Sequence, residues 1–426
     1  MSKSLLIDAD WERLESGPPE ERYTFAAIGI YSHGLCLTEA EDSFVKAVRQ
    51  KVPLSAYRLA EWLAWNWWRL RWEPRKNSTG WAMAHHMPTI GGGYVWPNIT
   101  ITSDGERVVF HTKPTQPRGA EPLRYIADVH PVVRARDFDE AVDAFTEQVR
   151  GRLDLNKIRD TNLHAIWDDL LSDRADPNAT LFRKFEALLG KDPGEADPEI
   201  VNGLIEDAAK LGKSAMAEIA ANEVVTAAEL TKFAQTAGVD SGDVVRLEPG
   251  RKKRLPTGVA WQRGAEAARA LRLQEHLDTP ISNEHLCAMA GVPRNTLTAA
   301  HKPSPLSFVL DEGKKSRLVL RSKFLTGRRF AMARLIGDRA LQNGDDRLFP
   351  ATDAFTYRQK QQRAFAAELL CPFEPLADRL KGDFSPEAIE EAADHFKVSE
   401  RTVLTLLVNH NLLDREALDP EDELAA

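Results

Sequence analysis

Seven of the ten tryptophans in this 426-residue chain fall between Trp62 and Trp96, and that crowding limits the fold more than any other feature. The run YRLAEWLAWNWWRLRW, residues 57–72, has helical spacing. It sets Leu59, Trp62, Leu63 and Asn66 on one face and Trp65, Trp68 and Trp72 on the next. A helix with aromatics on most faces is buried on most faces, so a tryptophan-rich core is expected here. Arg58, Arg69, Arg71 and Arg75 interleave with the rings and keep a second use open, because stacked bases are held by the same pairing of aromatics and arginines.

Around this run, residues 23–37 (YTFAAIGIYSHGLCL) read as one or two strands. Residues 81–112 carry short extended pieces punctuated by Pro88, Gly91, Gly92, Gly93 and Pro97, and Ser103-Asp104-Gly105 signals a turn. The three glycines lack the GxGxxG or GKS/T context of a phosphate loop and read as a tight turn or backbone crossing. His85 and His86 are adjacent, so on a strand they face opposite ways and cannot both bind one metal. With Asp104 they are the candidate site of this region. An amphipathic helix with the stripe Phe138, Val142, Phe145 and Val149 closes a mixed α/β domain over residues 1–152.

Residues 153–250 read as a succession of short helices, several ending in glycine, and are expected to form a helical connector domain. VRLEPGRKKRLPTG, with four consecutive basic residues at 251–254, reads as a linker. A third domain follows over 259–415, then an acidic tail at 416–426.

In that third domain two helices flank Thr279-Pro280, two strands at 306–310 and 316–322 flank the turn DEGK, and the helices RRFAMARLIGDRAL (328–341) and RQKQQRAFAAELLCP (358–372) precede a closing helical pair at 385–413. Arg329-Phe330 with Ala333 and Gly337, then Phe365-Ala366-Ala367-Glu368-Leu369-Leu370 with Pro372, then Val398-Ser399 with Val403 and Leu407, together resemble the ImmA/IrrE family of bacterial metallopeptidases over residues 260–413. The resemblance implies a zincin-like α/β domain, with the zinc-binding HExxH helix at 334–338. At those positions the chain has Arg334, Leu335 and Asp338, and the family's further glutamate falls on Gln359 or Gln361. Arginine stays protonated and cannot bind zinc, and leucine cannot activate water. The expectation is therefore a pseudo-peptidase with no metal and no cofactor, in which Arg334 and Asp338, at i and i+4, pair across the former metal face. The family also implies a setting in bacterial stress response, toxin–antitoxin pairs or phage-related regulation and defence.

Two segments have a helix-turn-helix outline, 285–297 and 388–410. The second helix of the latter, ERTVLTLLV, is too apolar for reading bases. A basic run without acidic residues includes Lys314, Lys315, Arg317, Arg321, Lys323, Arg328 and Arg329 and is the candidate contact for nucleic acid or an acidic partner. The whole chain carries a formal charge of −8, so any such binding is local. Cys36, Cys287 and Cys371 are far apart in sequence, which suits a reducing cytoplasm and argues against a disulfide framework. No apolar run approaches the ~20 residues of a membrane span.

The expected fold class is α+β, predominantly helical. The expected function is a cytoplasmic, non-catalytic binding or regulatory protein with a protein partner. Two alternatives stand beside it: an enzyme with its site around His85 and His86, and a DNA-binding transcriptional regulator using the basic third.

Overall fold

The computed structural model describes residues 3–116, 123–300, 302–313, 315–342, 346–414 and 417–418. The fold is mixed α+β and mainly helical, with 49% helix against 16% strand in small antiparallel sheets. The chain divides into two compact units, Met1–Asn202 and Gly203–Ala426.

In the first unit β1 (Leu5–Trp11), the short helix α1 (Pro19–Tyr23) and β2 (Phe25–Ser32) come first, and β1 pairs antiparallel along the length of β2 from Leu5↔Ser32 to Trp11↔Ala26. Leu5, Ile7 and Ala9 of β1 point inward at period two. β3 (Leu35–Cys36), β4 (Ala40–Asp42), β5 (Ala47–Arg49) and β6 (Val52–Ser55) follow, with β3 and β6 completing the sheet on β2. Ser55 caps α2 (Ala56–Trp65) by accepting from Arg58 N at 3.3 Å.

The tryptophan run is not one continuous helix. It breaks at Asn66, whose buried side chain donates to Trp62 O at 2.9 Å, and resumes as α3 (Trp67–Trp72). The break rotates the second half, so that Trp62, Trp67 and Trp68 are buried while Trp65 is half exposed. Trp67 and Trp68 meet edge to face at 4.8 Å. Core packing is thus the main use of the rings.

α4 (Thr79–His85) leads into a 3₁₀ turn, and Gly91, Gly92 and Gly93 all take positive φ, as expected for a tight turn. A Cβ on Gly92 would lie 2.4 Å from Arg58 Nε. Next come β7 (Ile99–Ser103), β8 (Arg107–Thr112), β9 (Leu123–Tyr125) and β10 (Val132–Arg134). They form the sheet β10-β8-β7 and, with the earlier strands, β5-β4-β9. The long helix α5 (Ala135–Leu155) buries Phe138, Val142, Phe145 and Val149, each worth about 1.5–3 kcal/mol of apolar transfer.

α6 (Asn162–Ala175) and α7 (Pro177–Leu188) add Leu163, Trp167, Leu170 and Ala187 to this same core. The stretch 153–250, expected as a separate connector, is therefore shared between the two units. After α8 (Pro198–Leu211), α9 (Lys213–Ala220) and α10 (Ala227–Ala237) belong to the second unit.

β11 (Val239–Ser241) is an edge strand of the second unit's sheet. The stretch expected as a linker holds α11 (Pro249–Lys252), and Leu247 and Leu255 on either side are buried in the second unit's core. It is anchored because two leucines in the basic sequence have apolar cavities to fill. α12 (Ala260–Gln274), α13 (Asn283–Met289), β12 (Ser307–Glu312), β13 (Lys315–Val319), α14 (Leu325–Leu341) and α15 (Tyr357–Leu370) follow in the order expected from the sequence, and β14 (Leu348–Ala351), which was not expected, lies between the last two. The four-stranded sheet runs β11-β13-β12-β14, antiparallel throughout. α16 (Phe373–Leu380), α17 (Pro386–Phe396) and α18 (Glu400–Asn409) end the described helices. Of the tail at 416–426, only residues 417 and 418 lie among the described residues.

Candidate functional site

The five positions singled out on the helix pair are all buried, on α14 and α15, which pack side by side. Arg334 Nη2 donates to Thr352 O at 2.6 Å and to Gln359 Oε1 at 2.5 Å. Gln359 is fully buried. Its Oε1 also accepts from Thr352 N at 3.0 Å, and its Nε2 donates to Pro350 O at 3.1 Å. Arg334 and Gln359 therefore tie both helices to the backbone at the end of β14. Leu335 is 1% exposed and belongs to the apolar core. Gln361 is buried, with Nε2 unpartnered among the described residues.

The expected Arg334–Asp338 pair does not form. Asp338 instead accepts a two-pronged pair from Arg358 of α15, Nε to Oδ1 at 2.8 Å and Nη2 to Oδ2 at 2.7 Å. Arg358 Nη1 continues to Asp346 Oδ2 at 2.8 Å and to Ser214 Oγ at 3.1 Å. Spacing along one helix favours an i,i+4 partner, but the guanidinium arriving from α15 presents its fork to the carboxylate and wins on geometry.

The electrostatics follow burial. Desolvation pulls Arg334 down to about 9, with Arg363 nearby pushing the same way. Desolvation also acts to lower Arg358, but the Asp338 carboxylate outweighs it and holds the guanidinium charged. Burial raises the Glu218 carboxyl, against the weaker opposing pull of Arg358 and of Thr356, whose hydroxyl donates to it at 2.5 Å. Burial raises Asp346 in the same way. Arg358, Asp346, Ser214 and Glu218 were not anticipated from the sequence. The position of Arg358 directly before Gln359 was the available signal.

In this arrangement Asp338 is committed to Arg358, and burial favours the neutral form of Glu218. Zinc needs three or four N, O or S ligands, and among the described residues no group of three or more His, Cys, Asp or Glu side chains is placed to hold a metal.

The basic run is divided by the fold. Arg328 and Arg329 are buried and face inward rather than toward a partner. Arg328 donates to the carbonyls of Ser322, Leu297, Ala299 and Lys323. Arg329 donates to Lys397 O and Ile281 O and to the Asn283 side chain. Each uses a guanidinium to satisfy loop carbonyls that the core would otherwise strand. Arg317 faces Asp240 at 3.7 Å and Arg321 pairs with Asp353 at 2.9 Å, while Lys315 and Lys323 are exposed. Lys314 lies outside the described residues.

The two helix-turn-helix outlines fold differently. Residues 294–298, after α13, form turns, and α18 buries Val403, Leu406, Leu407 and Val408.

In the first unit His85 is fully buried and stacked on Trp81 at 4.2 Å. Nδ1 faces Ile101 O at 2.8 Å and Nε2 faces Glu73 Oε2 at 3.1 Å. Glu73 also accepts from Arg69 Nε at 2.7 Å. Burial acts to raise Glu73, and the contacts with His85 and Arg69 overcome it and leave the carboxyl lowered. His86 is half-buried against Thr100 Oγ1 at 3.0 Å and is lowered by burial. Asp104 accepts from Glu106 N and Arg107 N and shapes the β7–β8 turn. Each of the three candidates is hydrogen-bonded to neighbouring groups of the first unit. The arginines of the tryptophan run are engaged as well: Arg58 with Glu21, Arg69 with Glu73 and Asp192, and Arg71 with Asp139.

No protein-family model matches the chain, and no curated protein or solved structure matches it.

Proposed function

We propose that the chain is a non-catalytic binding and regulatory protein whose region 259–415 is an ImmA/IrrE-like peptidase scaffold without its zinc site. It works in the bacterial cytoplasm, in stress response, toxin–antitoxin or phage-related regulation and defence, through a protein partner. The observation that carries this reading is the occupation of the two histidine positions by Arg334 and Asp338 and of the glutamate position by Leu335, with Gln359 beside them, all held in internal contacts. The order of strand pair, helix, strand and helix in the second unit supports the scaffold half of the proposal. The three free cysteines suit a reducing compartment.

The test is metal analysis of the purified full chain after dialysis against zinc, together with thermal unfolding with and without a chelator. Substoichiometric zinc and an unchanged Tm are expected. One equivalent of zinc per chain, lost on Asp338→Ala, overturns the reading.

A further inference from the structure

We propose that the groove between residues 251–256 and the outer face of α12 is a docking site for an acidic polypeptide segment that carries an apolar side chain. The proposal rests on the binding-protein reading and names the surface and the partner chemistry. The groove encloses about 750 Å³, within the range of sites that take several side chains. One wall is a helical stripe at four-residue spacing, Trp261, Ala265, Arg269 and Leu273. Leu273 is 68% exposed although α12 buries its other face in the core. His410, the residue after α18, closes one end with its ring stacked on Phe373 at 3.4 Å.

Arg251 and Arg254, from the segment before α12, also line the groove. Arg254 is exposed and has no carboxylate partner among the described residues, and exposed Lys253 stands beside it. Arg251 reaches Glu248 in an ion pair in which both side chains are more than one-third exposed. A pair so open to water is exchanged cheaply for a partner's carboxylate. Arg269 is held by Glu266 at 2.6 Å and Glu368 at 2.9 Å and supports the wall instead.

Cationic groups lining the same groove as an apolar stripe select an acidic segment with one apolar anchor. A nucleic-acid strand is the poorer match. Binding along phosphates scales with the number neutralised, and this groove offers only the guanidinium groups of Arg251 and Arg254, has Glu266 in its lining and belongs to a chain of net charge −8.

The experiment is fluorescence anisotropy on the full-length protein with three labelled probes. The first is a pool of short peptides with one leucine, phenylalanine or tryptophan flanked by glutamates, the second poly-glutamate of equal charge, and the third oligothymidine. The mixed pool is expected to bind about tenfold more tightly than either other probe. Arg254→Glu and Leu273→Glu, both at exposed positions, are each expected to weaken it by about fivefold or more with unchanged circular dichroism. Tighter binding of oligothymidine, equal binding of the two peptide probes, no binding of the pool, or indifference to both substitutions overturns the proposal. Mass spectrometry of the recovered peptide separates the two readings. Cleaved peptide removes the non-catalytic reading, whereas intact peptide that does not bind removes the groove alone.

Discussion

The residues that matter most in the second unit are charged groups that water does not reach. Arg358 and Asp338 are 5% and 1% exposed at the side chain, so each makes the other tolerable. Removing one partner of such a pair costs about 3–5 kcal/mol, because the remaining charge stays buried. Asp338→Asn is expected to fall at the lower end, since Asp346 still touches Arg358. The double substitution Asp338→Leu with Arg358→Met is expected to recover most of the loss, read from denaturant unfolding followed by circular dichroism. A double variant as unstable as the single one would show that the pair is not the stabilising element. Glu218 gives a pH signature of defined sign. Its native carboxyl is raised by burial, so the native state holds the proton more tightly than the unfolded chain does. Below the ordinary carboxylate value both states are protonated and the group contributes nothing. As pH rises past that value the unfolded chain ionises first and stability falls until the native carboxyl ionises too. Glu218→Gln is therefore expected to gain on the wild type as pH rises through and above the carboxylate range, and a constant gap would contradict this account.

At the scale of elements, the second unit is built on close helix contacts made by small residues. A Cβ on Gly264 of α12 would meet Gln361 O at 2.3 Å and Phe365 N at 3.0 Å, both backbone atoms of α15. On α14 a Cβ on Gly337 would meet the Phe365 ring at 2.4 Å. α15 is thus clasped by a glycine from each neighbouring helix, with Phe365 fully buried between them. Gly264→Ala is expected to destabilise by about 1–3 kcal/mol, because a backbone carbonyl cannot rotate away as a side chain does. Gly151→Ala on α5, where nothing lies within 4 Å of the new methyl, is the control and is expected to stabilise by about 0.5–1 kcal/mol through helix propensity. Thermal unfolding of the two variants reads both signs.

For the whole molecule, the elements were more legible than their allegiance. β12 and β13 were located as apolar runs flanking the turn DEGK, and α14 and α15 as helices through the family resemblance; none of them relied on a single buried face, since β12 buries four successive residues and α15 is buried on most faces. The break at Asn66 was not visible, since asparagine fits a helical pattern until its amide finds Trp62 O. The grouping of helices into two units was likewise hidden, because an apolar stripe says that a helix is covered and not by what. The sequence located the helix pair and singled out five positions on it but missed their wiring. Partner choice depends on which guanidinium arrives from another helix, and Arg358 looks like any solvated cation in one dimension. The same blindness affected Arg328 and Arg329, whose acceptors include carbonyls some 30 to 70 residues away. The Arg358–Asp338 contact also constrains how this sequence can change. Installing an HExxH motif here requires histidine at 334, glutamate at 335 and histidine at 338, and the last change leaves Arg358 without the carboxylate that holds it in a two-pronged pair. Leu335→Glu meanwhile places a charge in the apolar core. Single substitutions reach a zinc site at these positions only through genotypes that strip Arg358 of its two-pronged partner or bury a glutamate in the core, so the wiring between α14 and α15 disfavours such a site.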